Sequence, residues 1–202
     1  MVKPVGRIVG RAAPLPRANV DTDQIIPKQF LKRVERSGFG EYLFYDWGAD
    51  HEGEPDPGFV LNKPAYGNSV ILVTGPNFGS GSSREHAPWS LQDWGFEAVV
   101  APSFADIFYN NCTKVGLLPI VLPADEIASL TEIARDPTNE VTVDLESQMV
   151  TASGFTASFD IDAFTKHCLL NGLDEIALTL SHADEIDEYE GERSTHKPTV
   201  LP

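Results

Sequence analysis

A chain of 202 residues with 42% hydrophobic and 22% charged side chains can fill one core and is too balanced to be disordered or fibrous. Its 30 acidic and 15 basic residues leave a net charge of -15 with no basic patch, which argues against nucleic acid and anionic membrane as partners. No stretch approaches the roughly 18 apolar residues that span a bilayer, the N-terminal segment has no signal-peptide pattern, and Cys112 and Cys168 stand far apart without a Cys-x-x-Cys. A cytoplasmic protein with no disulfide framework and no metal site of its own is expected.

The first 17 residues read as one strand and a loop, and the polar run NVDTDQIIP (19–27) suits turns and caps. Residues 29–36 suggest a helical turn or two, with Gly38 and Gly40 ending them. The Gly-, Pro- and acid-rich stretch 46–64 reads as an exposed loop. SVILVT (69–74) is β-branched and flanked by Gly67 and Gly75, as a buried strand is.

A helix to about Trp94, a strand at 98–101, a helix from Pro102 to about Lys114 and a strand at 117–122 follow, giving α/β alternation. An amphipathic helix is expected over 123–135, with Ile127, Leu130 and Ile133 on one face. Alternation predicts strands at 141–145 and 149–151, with β character continuing through FTASFDI. Late helices are expected at 161–171 and 183–189, separated by a strand or turn, IALTL (176–180). The chain reads as one domain over 1–202, with an extended arm from about 191 to 202.

The chemistry concentrates in NFGSGSSREH (77–86), where a buried strand ends, glycines follow and a helix begins. Gly79 and Gly81 permit backbone conformations and close approaches that a Cβ forbids. Ser82 and Glu85 fit the Ser-x-x-Glu capping box, which would place free backbone N–H groups beside Ser82, Ser83 and Arg84 as an anion site. The plainer reading makes Ser82 a cap and Arg84 a surface residue. Pro88 inside the expected helix suggests a kink or restart near Ala87. The dinucleotide fingerprint, the P-loop and the Gly-x-Ser-x-Gly nucleophile elbow all fail at required positions. With two glycines and few contacts, the loop is expected to be mobile.

NFGSGSSREHAPW resembles the signature of the swivelling domain of the aconitase superfamily, especially the small subunits of isopropylmalate isomerases. NVDTDQIIPKQFLKR before it, and PSFADIFYNNCTKVGLLP and LLNGLDEIALTL after it, are similar to the same subunits in the same order, so the resemblance spans nearly the whole chain. It implies a β/β/α three-layer fold with a second β layer built from the N-terminal and late strands. It also implies a heterodimeric hydro-lyase of leucine biosynthesis that interconverts 2- and 3-isopropylmalate. The large-subunit partner would carry a [4Fe-4S] cluster on three cysteines, with one iron free to bind substrate hydroxyl and carboxylate; this chain would bind none.

By the same resemblance Ser82 is the general base, Ser83 and Arg84 hold a substrate carboxylate, and Asp23 matches an acidic active-site position, although Asp21 and Asp23 equally suit turn capping. Which of Lys32, Arg33 or Arg36 meets substrate is open, so a hydro-lyase of the citraconate or homoaconitate type is an alternative, as is a noncatalytic anion-binding subunit. His86 reads as structural. A helix N-terminus contributes at most about 2 kcal/mol to an anion, or roughly 1.5 pK units, far too little to ionise a serine. The isolated chain is therefore expected to be inactive.

Overall fold

The computed structural model describes residues 2–31 and 37–193, so Lys32, Arg33, Arg36 and the tail beyond 193 lie outside the described residues. In chain order the elements are β1 (Arg7–Leu15), α1 (Thr22–Ile25), α2 (Tyr45–Gly48), β2 (Ser69–Thr74), α3 (His86–Trp94), β3 (Ala98–Ala101), α4 (Asp106–Val115), β4 (Leu118–Val121) and α5 (Ala124–Ala134). Then come β5 (Glu140–Asp144), β6 (Met149–Ala152), β7 (Phe155–Ser158), α6 (Ala163–Asn171), α7 (Glu175–Leu180) and α8 (Ala183–Gly191).

The strands form one sheet in the order β4-β3-β2-β1-β5-β6-β7. Strands β1 to β4 pair in parallel, and β5 to β7 form an antiparallel meander that joins through β1. The N-terminal strand is thus the seam between the two halves. Helix α5 packs against β1, β2, β3 and also β7, strands from both halves of the sheet, so the sheet curls around it.

Two apolar clusters lie on the two faces, and period-two alternation feeds both. Leu72, Val99 and Ala101 enter one cluster with Phe78 and Leu91; Ile71, Val73, Ala98 and Val100 enter the other with Ile127 and Leu130. The parallel strands are buried on both sides, which is why they read as continuous apolar runs.

Three expectations need correction. IALTL is not a strand or turn: Asp174 caps a helix by accepting from the Ala177 N–H at 2.8 Å, and α7 takes up the segment. Residues 46–64 are not wholly exposed, because Phe59 and Leu61 join the core. Helix α4 starts at Asp106 rather than Pro102, since the bridge between Phe78 and Phe104, with Phe78 bonded to Ser103 and Ala105, holds 103–105 extended.

Candidate functional site

Two loops leave neighbouring parallel strands side by side. The chain turns at Asn19 after β1 and at Asn77 after β2, both left-handed (φ 55° and 57°), a conformation asparagine tolerates better than most residues. The Asn77 amide donates to the Asn19 side-chain oxygen at 2.9 Å, tying the turns together.

Beyond that tie the segments form a short ribbon. The N–H groups of Gly79 and Ser80 donate to the Val20 carbonyl at 2.7 and 3.2 Å, and the Thr22 N–H donates to the Ser80 carbonyl at 2.8 Å. The Ser82 N–H then donates to the buried Thr22 hydroxyl at 3.1 Å. On the other side the Phe78 N–H donates to Ser103 and Phe78 accepts from Ala105, at 3.1 and 3.0 Å. The first half of the signature loop is therefore well bonded, against the expectation of a loop with few contacts.

Gly79 is required by this arrangement. Its φ is +76°, and a Cβ there would stand 2.0 Å from Phe108 Cγ. The backbone presses against the aromatic cluster of Phe78, Phe104 and Phe108, which sets the direction in which 80–84 emerge.

The capping box lies elsewhere than expected. Helix α3 begins at His86 with Glu85 as its cap residue and no side-chain cap, so Ser82 does not cap it. Pro88 falls in the first turn of α3, where its missing N–H costs nothing, and no kink is needed. A true capping box sits on the facing segment. Asp21 Oδ1 accepts from the Gln24 N–H at 2.8 Å, and Gln24 Oε1 accepts from the Asp21 N–H at 3.0 Å.

That box displays Asp23 outward from the first turn of α1, where its carboxylate pairs with Arg84 Nη1. Two of the four expected site residues are thereby in contact across the ribbon. Ser82 and Ser83 are exposed beside them, and the Ser83 carbonyl accepts from the Asn111 amide of α4 at 3.5 Å. Thr22 and Asn111, which hold the backbone on either side of the serines, escaped the sequence reading. The Asp-x-x-Gln pattern at 21–24 was the available signal for the first; nothing local marks the second.

His86 sits with its ring edge-on to Phe39 and 4.9 Å from Trp89. Burial lowers its pKa below the ordinary 6.5; Glu85 opposes this and Arg84 reinforces it. It packs the start of α3 as a neutral ring. Cys112 is fully buried, which pushes its thiol pKa well up, and burial also raises that of Cys168. Among the described residues no three His, Cys, Asp or Glu side chains are grouped to hold a metal ion.

The curled mixed sheet and the Gly-Ser-Gly-Ser-Ser-Arg loop belong to a chain whose class is that of aconitase C-terminal domains. The family model of that description matches residues 2–125. A model described as LeuD_N matches 130–163, and one for the C-terminal domain of 3-isopropylmalate dehydratase small subunits matches 175–202. The small subunit of Dinoroseobacter shibae is 56% identical over 196 residues, covering 96% of this chain and 98% of that relative. That of Bacillus subtilis is 52% identical over 195 residues, covering 96% and 98%. A crystal structure of 3-isopropylmalate dehydratase from Methanocaldococcus jannaschii superposes with a TM-score of 0.66 at 28% identity, covering 92% of this chain and 99% of that one. The chain belongs to the family of 3-isopropylmalate dehydratase small subunits.

Proposed function

We propose that this chain is the small subunit of a two-subunit hydro-lyase that interconverts 2-isopropylmalate and 3-isopropylmalate in leucine biosynthesis. It acts as one swivel domain that closes over a large subunit in the cytoplasm. The observation that carries the reading is the side-by-side placement of Ser82, Ser83 and the Asp23–Arg84 pair on one bonded ribbon. The choice of isopropylmalate over citraconate or homoaconitate follows the relatives.

In the dehydration Ser82 Oγ takes the proton from the carbon next to a carboxylate, and the hydroxyl leaves from the neighbouring carbon. In the rehydration Ser82 returns that proton to the carbon that lost the hydroxyl, and hydroxide adds at the carbon that lost the proton. Arg84 and Ser83 bind a substrate carboxylate, so the two carbons present the correct hydrogen to Ser82. A [4Fe-4S] cluster on the large subunit supplies Lewis acidity toward the departing hydroxyl; this chain's residues do not fit it as ligands, and they supply the base and the anion contacts.

Ser82 and Ser83 are exposed in the isolated chain, and a water-exposed serine is a poor base. Enclosure by the partner completes the site. Isomerisation measured with this chain alone and after anaerobic mixing with an iron-sulfur large subunit tests the proposal. Activity in the mixture alone supports it, and turnover by the isolated chain overturns it.

A further inference from the structure

We infer that the groove between α4, α6 and α7 receives an apolar, basic-flanked projection of the large subunit, an inference that rests on the two-subunit reading above. The groove encloses about 350 Å³, with Ile107, Phe164 and Leu178 among its walls. On its walls Ile107 and Phe164 are 55% and 61% exposed. Large apolar side chains gathered at one place mark a surface that another body covers.

Helix α8, which follows α7, buries none of its residues.

Three observations identify the body that covers the groove. Asn111 lines the groove and also donates to the Ser83 carbonyl. A body that shields Ser82 and Ser83 from water therefore lies at the groove's mouth. The α7 wall and α8 fall within 175–202, the match to the C-terminal domain of the dehydratase small subunits, and outside the 2–125 match to the aconitase C-terminal domain. Finally, α8 carries Asp184, Glu185, Asp187, Glu188 and Glu190 with no basic residue. A second copy of this chain, itself at net charge -15, is repelled from that helix, whereas a basic partner face is attracted.

The test is the dissociation constant for the large subunit, measured for the wild-type chain, the double variant Ile107→Glu/Phe164→Glu, and Val9→Glu as a control. Val9 is 49% exposed on β1 and is not part of the groove. Circular dichroism and thermal unfolding establish that each variant is folded. The groove variant is expected to bind at least about tenfold more weakly, as for charges placed in an apolar interface, with kcat at saturating large subunit unchanged. Val9→Glu is expected to bind like wild type. Unchanged binding by the folded groove variant, or an equal loss in Val9→Glu, overturns the inference. So does a dimer of the isolated chain that the groove variant dissociates, which would give the groove to a second copy. A wild-type pair that associates without isomerising isopropylmalate would instead remove the reaction assigned above and leave the docking surface standing.

Discussion

Arg84 and Asp23, 61 positions apart in sequence, form an ion pair across the ribbon that joins the loops after β1 and β2. Only Nη1 of the guanidinium fork makes this contact, and the side chain is 24% exposed while that of Asp23 is 52% exposed. A pair this open is worth at most about 1 kcal/mol to the fold. Asp23→Asn is therefore expected to leave thermal stability within that range while raising KM of the reconstituted enzyme, because Arg84 loses the contact that aims it. Arg84→Lys is expected to raise KM further, since a point charge does not replace a fork on a carboxylate. Unfolding curves together with steady-state kinetics check both variants; a collapse of stability in Asp23→Asn would make the pair structural.

Thr22 is a positioning residue for Ser82. Its buried hydroxyl is the acceptor for the Ser82 N–H. Thr22→Val keeps the shape and removes the acceptor, at a cost of about 1 kcal/mol in stability. The expected signature is a lower kcat with nearly unchanged KM, restored by Thr22→Ser. A variant that loses stability but keeps kcat would show that the bond does not aim the serine.

Gly79 admits no side chain. Alanine there combines left-handed strain of about 1–2 kcal/mol with overpacking against Phe108 of about 1–3 kcal/mol. Gly79→Ala is expected to lower Tm by about 10 °C, taking roughly 3 kcal/mol as the sum for a chain of this size. Calorimetry of the isolated chain measures this directly, and a wild-type Tm would mean that the loop repacks freely.

The neutral state of His86 gives the fold a pH dependence of known sign. Its pKa is lowered by burial in the folded chain, so the unfolded chain binds the proton more readily. The stability contributed by the neutral ring is complete above the ordinary value of 6.5 and declines as pH falls through the lowered folded value. Between about pH 7 and pH 5 wild type is expected to lose more Tm than His86→Phe, a difference that thermal melts at both pH values resolve. Equal losses would place the acid sensitivity elsewhere.

The strands were legible where burial on both faces turned them into continuous apolar runs, as at SVILVT and AVVA, because that pattern depends only on neighbours in the sheet. IALTL carries a similar apolar pattern yet folds as helix, since the deciding group is the carboxylate of Asp174 just before it. Ser-x-x-Glu at 82–85 and Asp-x-x-Gln at 21–24 both satisfy the capping pattern, and only the second is used. The Ser82 N–H is taken by Thr22, a contact across 60 positions that no local spacing encodes. The candidate site was legible as a set of residue types on one loop; its assembly with Asp23, Thr22 and Asn111 comes from the pairing of β1 with β2 and the return of α4.

If Ser82 moves the proton in a site that two chains complete, its removal must abolish turnover and spare assembly. The most direct test is the turnover of isopropylmalate by Ser82→Ala mixed anaerobically with the large subunit, beside the dissociation constant of the same pair. A general base contributes about 10²- to 10⁴-fold, so kcat is expected to fall by at least about a hundredfold while pairing and KM stay near wild type. A variant that pairs normally and turns over at the wild-type rate would contradict the assignment of Ser82.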